Sequence, residues 1–65
     1  MLVLNRKRDE TVVIRCPDGT EIVVMVVQIR GDHARLGFTA PPGVTIHRGE
    51  VQDRIDAEKA AEHGG

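Results

Sequence analysis

The amino-acid sequence predicts a mostly β fold, with five strands in a small domain and one C-terminal α-helix. Three observations lead to this prediction. Runs of apolar and β-branched residues recur through residues 1–47 and are separated by turns rich in Gly, Pro and Asp. The following segment, EVQDRIDAEKAAEH, is rich in helix formers. The chain has 65 residues, enough for one domain, so we expect a single domain over 1–65.

The first two strands are predicted at about residues 1–7 and 10–16. Both segments are apolar or β-branched, and a polar Arg-Asp-Glu turn lies between them. The next turn contains Pro17, Asp18 and Gly19. Proline sets φ at the first central position of a turn, and glycine accepts a positive φ. The sequence therefore predicts a hairpin between the second and third strands.

The third strand, predicted at about residues 20–30, is apolar on both faces of EIVVMVVQI. Two apolar faces are typical of a central strand with packing on each side. A domain of this size buries only ~60% of the surface of its unfolded chain, so it has little material for two layers. Cys16 is the single cysteine and cannot form an intrachain disulfide. We therefore expect a partner chain to supply the missing cover.

The fourth strand is predicted at about residues 33–39 and the fifth at 44–47. A rigid Ala-Pro-Pro-Gly loop at 40–43 separates them. Within the fourth strand, apolar residues alternate with Arg35 and Gly37. One face of this strand is therefore predicted to point inward.

The helix is predicted at about residues 49–61, with a frayed tail at 62–65. On this helix, Glu50 and Arg54 are spaced for an i,i+4 ion pair. The residue before the helix is Arg48. The N-terminus of a helix already carries a partial positive charge, so a cation there does not stabilise the helix. This position suggests a purpose for Arg48 other than helix stability.

Charge is divided unevenly along a chain whose net charge is −1. The first eight residues contain Arg6, Lys7 and Arg8 and no acid, whereas residues 49–65 contain five acids and two basic residues. Folding that brings the basic end beside Arg48 would create a local positive patch on a nearly neutral protein. The alternative is that these charges are ordinary solvated surface.

The sequence does not favour catalysis or metal binding. It has no Ser and no Tyr, and no His or Asn lies near Cys16 in sequence. Together with Cys16, the histidines at 33, 47 and 63 lack the spacing of metal ligands. We therefore expect a protein that is not an enzyme and that uses no cofactor or metal.

We also expect a cytoplasmic protein without a membrane segment. The apolar start of the chain is too short for a signal peptide, and no apolar run approaches the ~20 residues of a membrane span. Two common nucleic-acid modules are excluded as well. A helix-turn-helix needs two helices, and an aromatic base-stacking sheet is incompatible with Phe38 as the single aromatic residue. Any RNA binding would depend on arginine, backbone groups and aliphatic side chains.

Five segments of the chain, in order, resemble the carbon storage regulator family (CsrA/RsmA): MLVLNRK at 1–7, ET at 10–11, GDHARLG at 31–37, AP at 40–41 and VTIHRGE at 44–50. The resemblance extends to about residue 59. It implies an intertwined homodimeric β-sandwich or barrel, in which the first strand of each chain lies beside the fifth strand of the other. Arg6 and Lys7 of one chain would then lie next to Arg48 of its partner.

The resemblance also implies a function. Members of this family bind GGA-containing sites in mRNA 5′ leaders, typically block ribosome binding, and affect mRNA stability. Antagonist small RNAs, or the flagellar assembly factor FliW, are the further partners that the resemblance implies. The resemblance thus implies mRNA as the RNA partner, and we expect no membrane to be involved.

By the same resemblance, eleven residues are expected to bind RNA in two groups: Leu4, Asn5, Arg6 and Lys7 on one side, and Ala40, Pro41, Val44, Ile46, His47, Arg48 and Val51 on the other. The two arginines would contact phosphate or a base edge. Backbone groups of the Ala-Pro segment would hydrogen-bond guanines, and aliphatic side chains would form apolar shelves.

Two departures from the family pattern concern this site. Gly49 stands where the family commonly has glutamate, which weakens the predicted helix start. Lys7 stands where arginine is usual and loses bidentate geometry. Two other functions remain open at this stage: a small dimeric β-ribbon DNA-binding regulator, and a protein-interaction module without a nucleic-acid role.

Overall fold

The computed structural model describes residues 1–63, which form the predicted five strands and one helix in the predicted order. The elements are β1 (Leu2–Arg6), β2 (Thr11–Arg15), β3 (Glu21–Met25), β4 (Ala34–Phe38), β5 (Thr45–Arg48) and α1 (Gly49–His63). The mostly β fold class with a C-terminal helix is therefore confirmed.

The strands form two antiparallel sheets, one of β1 and β4 and one in the order β3-β2-β5. Strand β2 is the centre of the larger sheet because it pairs on both sides. Its Val12 is fully buried and Val13 is 7% exposed. Leu4 of β1 and Val26 complete the apolar core of the described residues. Burial of this small set leaves much apolar surface uncovered.

The hairpin between β2 and β3 is confirmed by its turn geometry. The N–H of Gly19 donates to the carbonyl of Cys16 at 3.0 Å, and Gly19 has φ of +93°. The N–H of Thr20 donates to Oδ1 of Asp18 at 2.8 Å. This bond lowers the pKa of the Asp18 carboxyl. The local turn chemistry alone is enough to set this hairpin.

The prediction that the third strand continues to residue 30 was wrong, since β3 ends at Met25. The N–H of Val26 still donates to the carbonyl of Glu10 at 3.1 Å, and the Val26 carbonyl accepts from the N–H of Asp9 at 2.6 Å. Asp9 has φ of +68°, which turns the segment before β2 away from the ladder. Beyond this point, residues 27–30 have no ladder partner within the described chain.

The expected central position of the third strand is also not found in the single chain, because β3 lies at the edge of its sheet. Several of its apolar side chains face outward, among them Val23 at 57% and Met25 at 52% exposure. The described residues leave these side chains uncovered. The prediction that one chain cannot bury both faces of this strand is therefore confirmed.

Helix α1 begins directly after β5, without a linker, and extends two residues beyond the predicted end at 61. The predicted frayed tail was therefore wrong for residues 62 and 63, and the last two residues lie outside the described chain. The helix packs against β2 and β5. Asp56 accepts two bonds from the Arg15 guanidinium, at 2.8 and 2.7 Å, which ties the helix to β2.

Among residues 1–63, no helix combines the length and apolar character that a membrane crossing requires.

Candidate nucleic-acid interface

Arg48 is the last residue of β5, and its side chain is exposed. Its backbone is held in register opposite Val12, the fully buried residue of β2. Among the side chains that the structure describes, none forms an ion pair with Arg48. The structure thus combines an available guanidinium with a firmly placed backbone, as recognition of a phosphate or a base edge requires.

A groove of about 270 Å³, lined mainly by apolar residues, opens on the same strand. Ile46 precedes Arg48 by two positions and therefore shares its face of β5. The groove is lined by Met1, Leu2, Phe38, Thr39, Ala40, Val44 and Ile46. Three predicted site residues, Ala40, Val44 and Ile46, are thus brought together in one groove. Leu2 and Phe38 form one side of it as cross-strand partners in the β1–β4 ladder.

The eleven predicted site residues differ in their accessibility. Five are exposed, namely Asn5, Lys7, Ala40, Pro41 and Arg48, and four are half-buried, namely Val44, Ile46, His47 and Val51. Leu4 and Arg6 are buried, each at 6% exposure. In this chain the two buried side chains offer almost no surface to an RNA, so their predicted contact roles are the ones that fit the structure least.

Arg6 is instead the centre of an ion pair with Glu50, the second residue of α1. Its Nη1 and Nη2 atoms donate to the two carboxylate oxygens of Glu50 at 2.9 and 2.8 Å. The same guanidinium donates from Nη1 to the Thr11 carbonyl at 3.3 Å and from Nε to the Asn5 carbonyl at 3.1 Å. The predicted helical pair of Glu50 with Arg54 was wrong, because the tertiary partner has the better geometry.

The bonds from Arg6 lower the pKa of the Glu50 carboxyl from its ordinary value of 4.5 to about 2, and the charge of Arg48 contributes in the same direction. The pKa of Arg6 is raised by the same pair. A carboxyl with a lowered pKa stabilises the fold at pH above 4.5, and that contribution is lost as the pH falls toward 2. The pair is therefore fully charged at neutral pH.

Gly49 lies in a very close contact between the start of α1 and β2. A Cβ atom at this position would overlap Oγ1 of Thr11, and it would lie 3.3 Å from the Thr11 Cβ. The glycine is buried. Its departure from the family pattern thus corresponds to a tight junction in this chain, with the backbone of the helix start pressed against β2.

The structure adds residues that the sequence did not predict for this surface. Leu2 and Phe38 line the groove, and their alternation within β1 and β4 was the signal that could have identified them. Arg35 is exposed and lies directly across from Asn5 in the β1–β4 ladder. Cross-strand neighbours depend on sheet register, which local sequence patterns do not specify.

Within the described residues, no group of three or more His, Cys, Asp or Glu side chains is arranged to hold a metal ion.

Comparison with known proteins identifies the family. The model of the CsrA family, described as a global regulator protein family, matches residues 1–57. A translational regulator CsrA of Rhodopirellula baltica is 48% identical over 61 residues, which cover 94% of this chain and 81% of that protein. A translational regulator CsrA of Desulfitobacterium hafniense (strain Y51) is 52% identical over 58 residues, which cover 89% of this chain and 70% of that protein. No solved structure matches the chain significantly. The chain therefore belongs to the CsrA family of global regulator proteins.

Proposed function

We propose that this protein is a translational regulator that binds GGA-containing sites in mRNA 5′ leaders. Binding there would block ribosome access and change the stability of the transcript. Two relatives that align over most of this chain are named translational regulators, which supports a regulatory and non-enzymatic role. We place its action in the cytoplasm, where mRNA is translated, and we assign it no cofactor.

The observation that carries this proposal is the exposed Arg48 at the end of β5, on the strand face that also contributes Ile46 to the apolar groove. A single-stranded loop presents bases with an apolar face and a charged backbone. The groove offers aliphatic surface for the bases, and Arg48 with the exposed Lys7 offers charge for phosphate. Ala40 and Pro41 are exposed, and we propose that backbone groups of this segment hydrogen-bond guanine edges.

We further propose that the active form is a homodimer. Seven large apolar residues are between 41% and 89% exposed: Met1, Leu2, Val3, Ile22, Val23, Met25 and Val27. Four of them, Ile22, Val23, Met25 and Val27, lie on β3 or just after it. This strand is at a sheet edge, and its outer side is unpaired within the described chain. An apolar surface of this extent on a small protein is typical of an interface. Association of two copies through β3 would cover the apolar side chains of this strand and present two RNA sites.

Antagonists of two kinds are compatible with this function. A small RNA with repeated GGA motifs would compete for the surface around Arg48, and the flagellar assembly factor FliW would compete as a protein partner. We treat both as candidates for the relief of repression.

Selective binding of a GGA hairpin is the first prediction. A hairpin RNA with GGA in its loop should bind in a gel shift at moderate salt, and the same hairpin with CCA in that position should bind at least about tenfold more weakly. The contrast arises because loop guanines present base edges that the backbone near Ala40 can read. Duplex DNA of matched length serves as the control. Equal binding to both RNAs, or preference for the duplex, would exclude this function.

Disruption of the dimer by a charge on β3 is the second prediction. The wild-type protein should have the mass of a dimer in light scattering, and Val23→Lys should shift it toward monomer because an unpaired charge is costly at an apolar interface. Ala57→Lys, at an exposed position of α1, is the matched control and should remain dimeric. A wild-type protein that stays monomeric at all concentrations would contradict the proposed assembly.

A further inference from the structure

Arg6 is the single charged residue buried among the described residues, and it donates four hydrogen bonds within the chain. Its terminal nitrogens bind Glu50 in a bidentate pair, Nη1 also reaches the Thr11 carbonyl, and Nε reaches the Asn5 carbonyl. A second carboxylate, that of Glu10, lies 3.7 Å from Nη2. A guanidinium has five N–H groups, so this environment leaves little for an outside phosphate.

The partner of Arg6 lies at the point where the chain changes from strand to helix. Glu50 follows Arg48 by two residues, and the buried Gly49 between them is pressed against Thr11. On the other side of Arg48, β5 is paired with β2 through Val12 and Val13. The backbone of the exposed Arg48 is thus held on its N-terminal side by the β2–β5 ladder and on its C-terminal side by the Arg6–Glu50 pair.

We propose that Arg6 and Glu50 form a positioning pair, which fixes the strand–helix junction so that Arg48 is presented to RNA, and that neither residue contacts the RNA itself. This inference rests on the proposed function, since the ligand of Arg48 is the RNA. It assigns different roles to the two arginines that the family resemblance groups together. Arg48 supplies the contact, and Arg6 supplies the geometry.

Because Glu50 is negatively charged, the direction in which its neutralisation changes RNA affinity tests the inference. A carboxylate close to a phosphate-binding arginine repels the RNA, so its neutralisation by Glu50→Gln should tighten binding if charge alone matters. If Glu50 positions Arg48, the same substitution should weaken binding. The amide replaces one of the two acceptor oxygens with an NH2 group, which cannot accept a hydrogen bond from Arg6. The two roles therefore predict changes in opposite directions.

The experiment measures GGA-hairpin affinity by fluorescence anisotropy over a series of salt concentrations, well below the unfolding temperature of each variant. Glu50→Gln is expected to weaken binding by about 3- to 10-fold. Asp53→Asn removes the same charge from an exposed position one turn along α1, and it should leave affinity unchanged or slightly higher. A purely structural pair would lower the unfolding temperature of Glu50→Gln without this loss of affinity in the folded protein.

Two further variants test Arg6. Arg6→Met should weaken binding without changing the slope of log K against log salt concentration, because no phosphate contact is lost, whereas Arg48→Ala should reduce the slope by about one. Arg6→Met with Glu50→Gln should be no weaker than the worse single variant, because both break the same pair.

Tighter or unchanged binding by Glu50→Gln, or a reduced salt slope for Arg6→Met, would overturn the inference. These outcomes are separate from failure of the proposed function, in which the wild-type protein itself shows no preference for the GGA hairpin.

Discussion

Arg48→Ala is expected to weaken binding of a GGA hairpin RNA by ~1–3 kcal/mol, or roughly 5- to 150-fold, while the fold remains intact. The guanidinium is exposed and makes no ion pair among the described side chains. Its removal therefore breaks no ion pair within the fold. Its value lies in a charge-assisted contact with the ligand, which the alanine cannot make. Anisotropy titrations with the hairpin, together with circular dichroism of the free protein, measure both parts of the prediction.

Arg54→Ala is the matched control for this substitution. Arg54 is an exposed arginine on α1, so its replacement changes the net charge by the same amount at a site away from the groove. We expect a small loss of affinity from the general charge effect. If Arg48→Ala and Arg54→Ala weaken binding equally, Arg48 is only part of the overall charge. If Arg48→Ala unfolds the protein, the residue is structural.

Gly49→Ala is expected to destabilise the protein by ~1–3 kcal/mol, the usual cost of an added group in a tightly packed site. The new Cβ would overlap Oγ1 of Thr11, so Thr11 must rotate or β2 and the helix start must separate. The helix propensity of alanine is higher than that of glycine, and on propensity alone the substitution should stabilise α1. A lower free energy of unfolding in urea would show that the close contact outweighs propensity.

The control for this prediction is a double-mutant cycle with Thr11→Ala, which removes the hydroxyl that the new Cβ would meet. The double variant Gly49→Ala with Thr11→Ala should recover much of the stability that the glycine substitution loses. All unfolding measurements need one protomer concentration, because the proposed association would contribute to stability. Strictly additive effects would mean that the two side chains do not conflict.

Much of the fold could be predicted because its signals are local. The β2–β3 hairpin follows from the Pro17–Gly19 turn, and the structure has the positive φ at Gly19 that this turn requires. Strand β4 has its apolar residues on the more buried face and Arg35 on the exposed face, as alternation predicts. The helix start at Gly49 follows from the change in composition after the β-branched run.

Features that depend on distant partners were predicted less well. The third strand was expected to continue to residue 30 and to be central. Its ladder ends where Asp9 turns the segment before β2 away, and within residues 1–63 no strand pairs with its outer edge. Glu50 was expected to bind Arg54 one turn along the helix. In the structure it binds Arg6, 44 positions away in sequence. Such pairs depend on the three-dimensional arrangement and not on spacing.

The candidate site shows the same division. The sequence identified Arg48 as an unusual cation at a strand–helix junction, and the structure confirms its exposure at the end of β5. The basic start of the chain was expected to reach Arg48 from a partner chain. In the structure, Arg6 reaches Glu50, two residues beyond Arg48, within one chain. Whether two chains exchange strands in the dimer stays a prediction.

By itself, the sequence determined the order and type of the elements, the turn at Gly19 and the choice of Arg48 as the central candidate, because turn chemistry, alternation and composition act over a few residues. Only the tertiary structure decided that Arg6 is buried and paired with Glu50, that Gly49 lies in close contact with Thr11, and that β3 lies at an edge. The physical reason is that burial and bidentate pairing depend on which distant segments meet. The sequence around Arg6 is the same whether its side chain contacts a ligand or pairs with Glu50 inside the fold, so local sequence cannot distinguish the two roles.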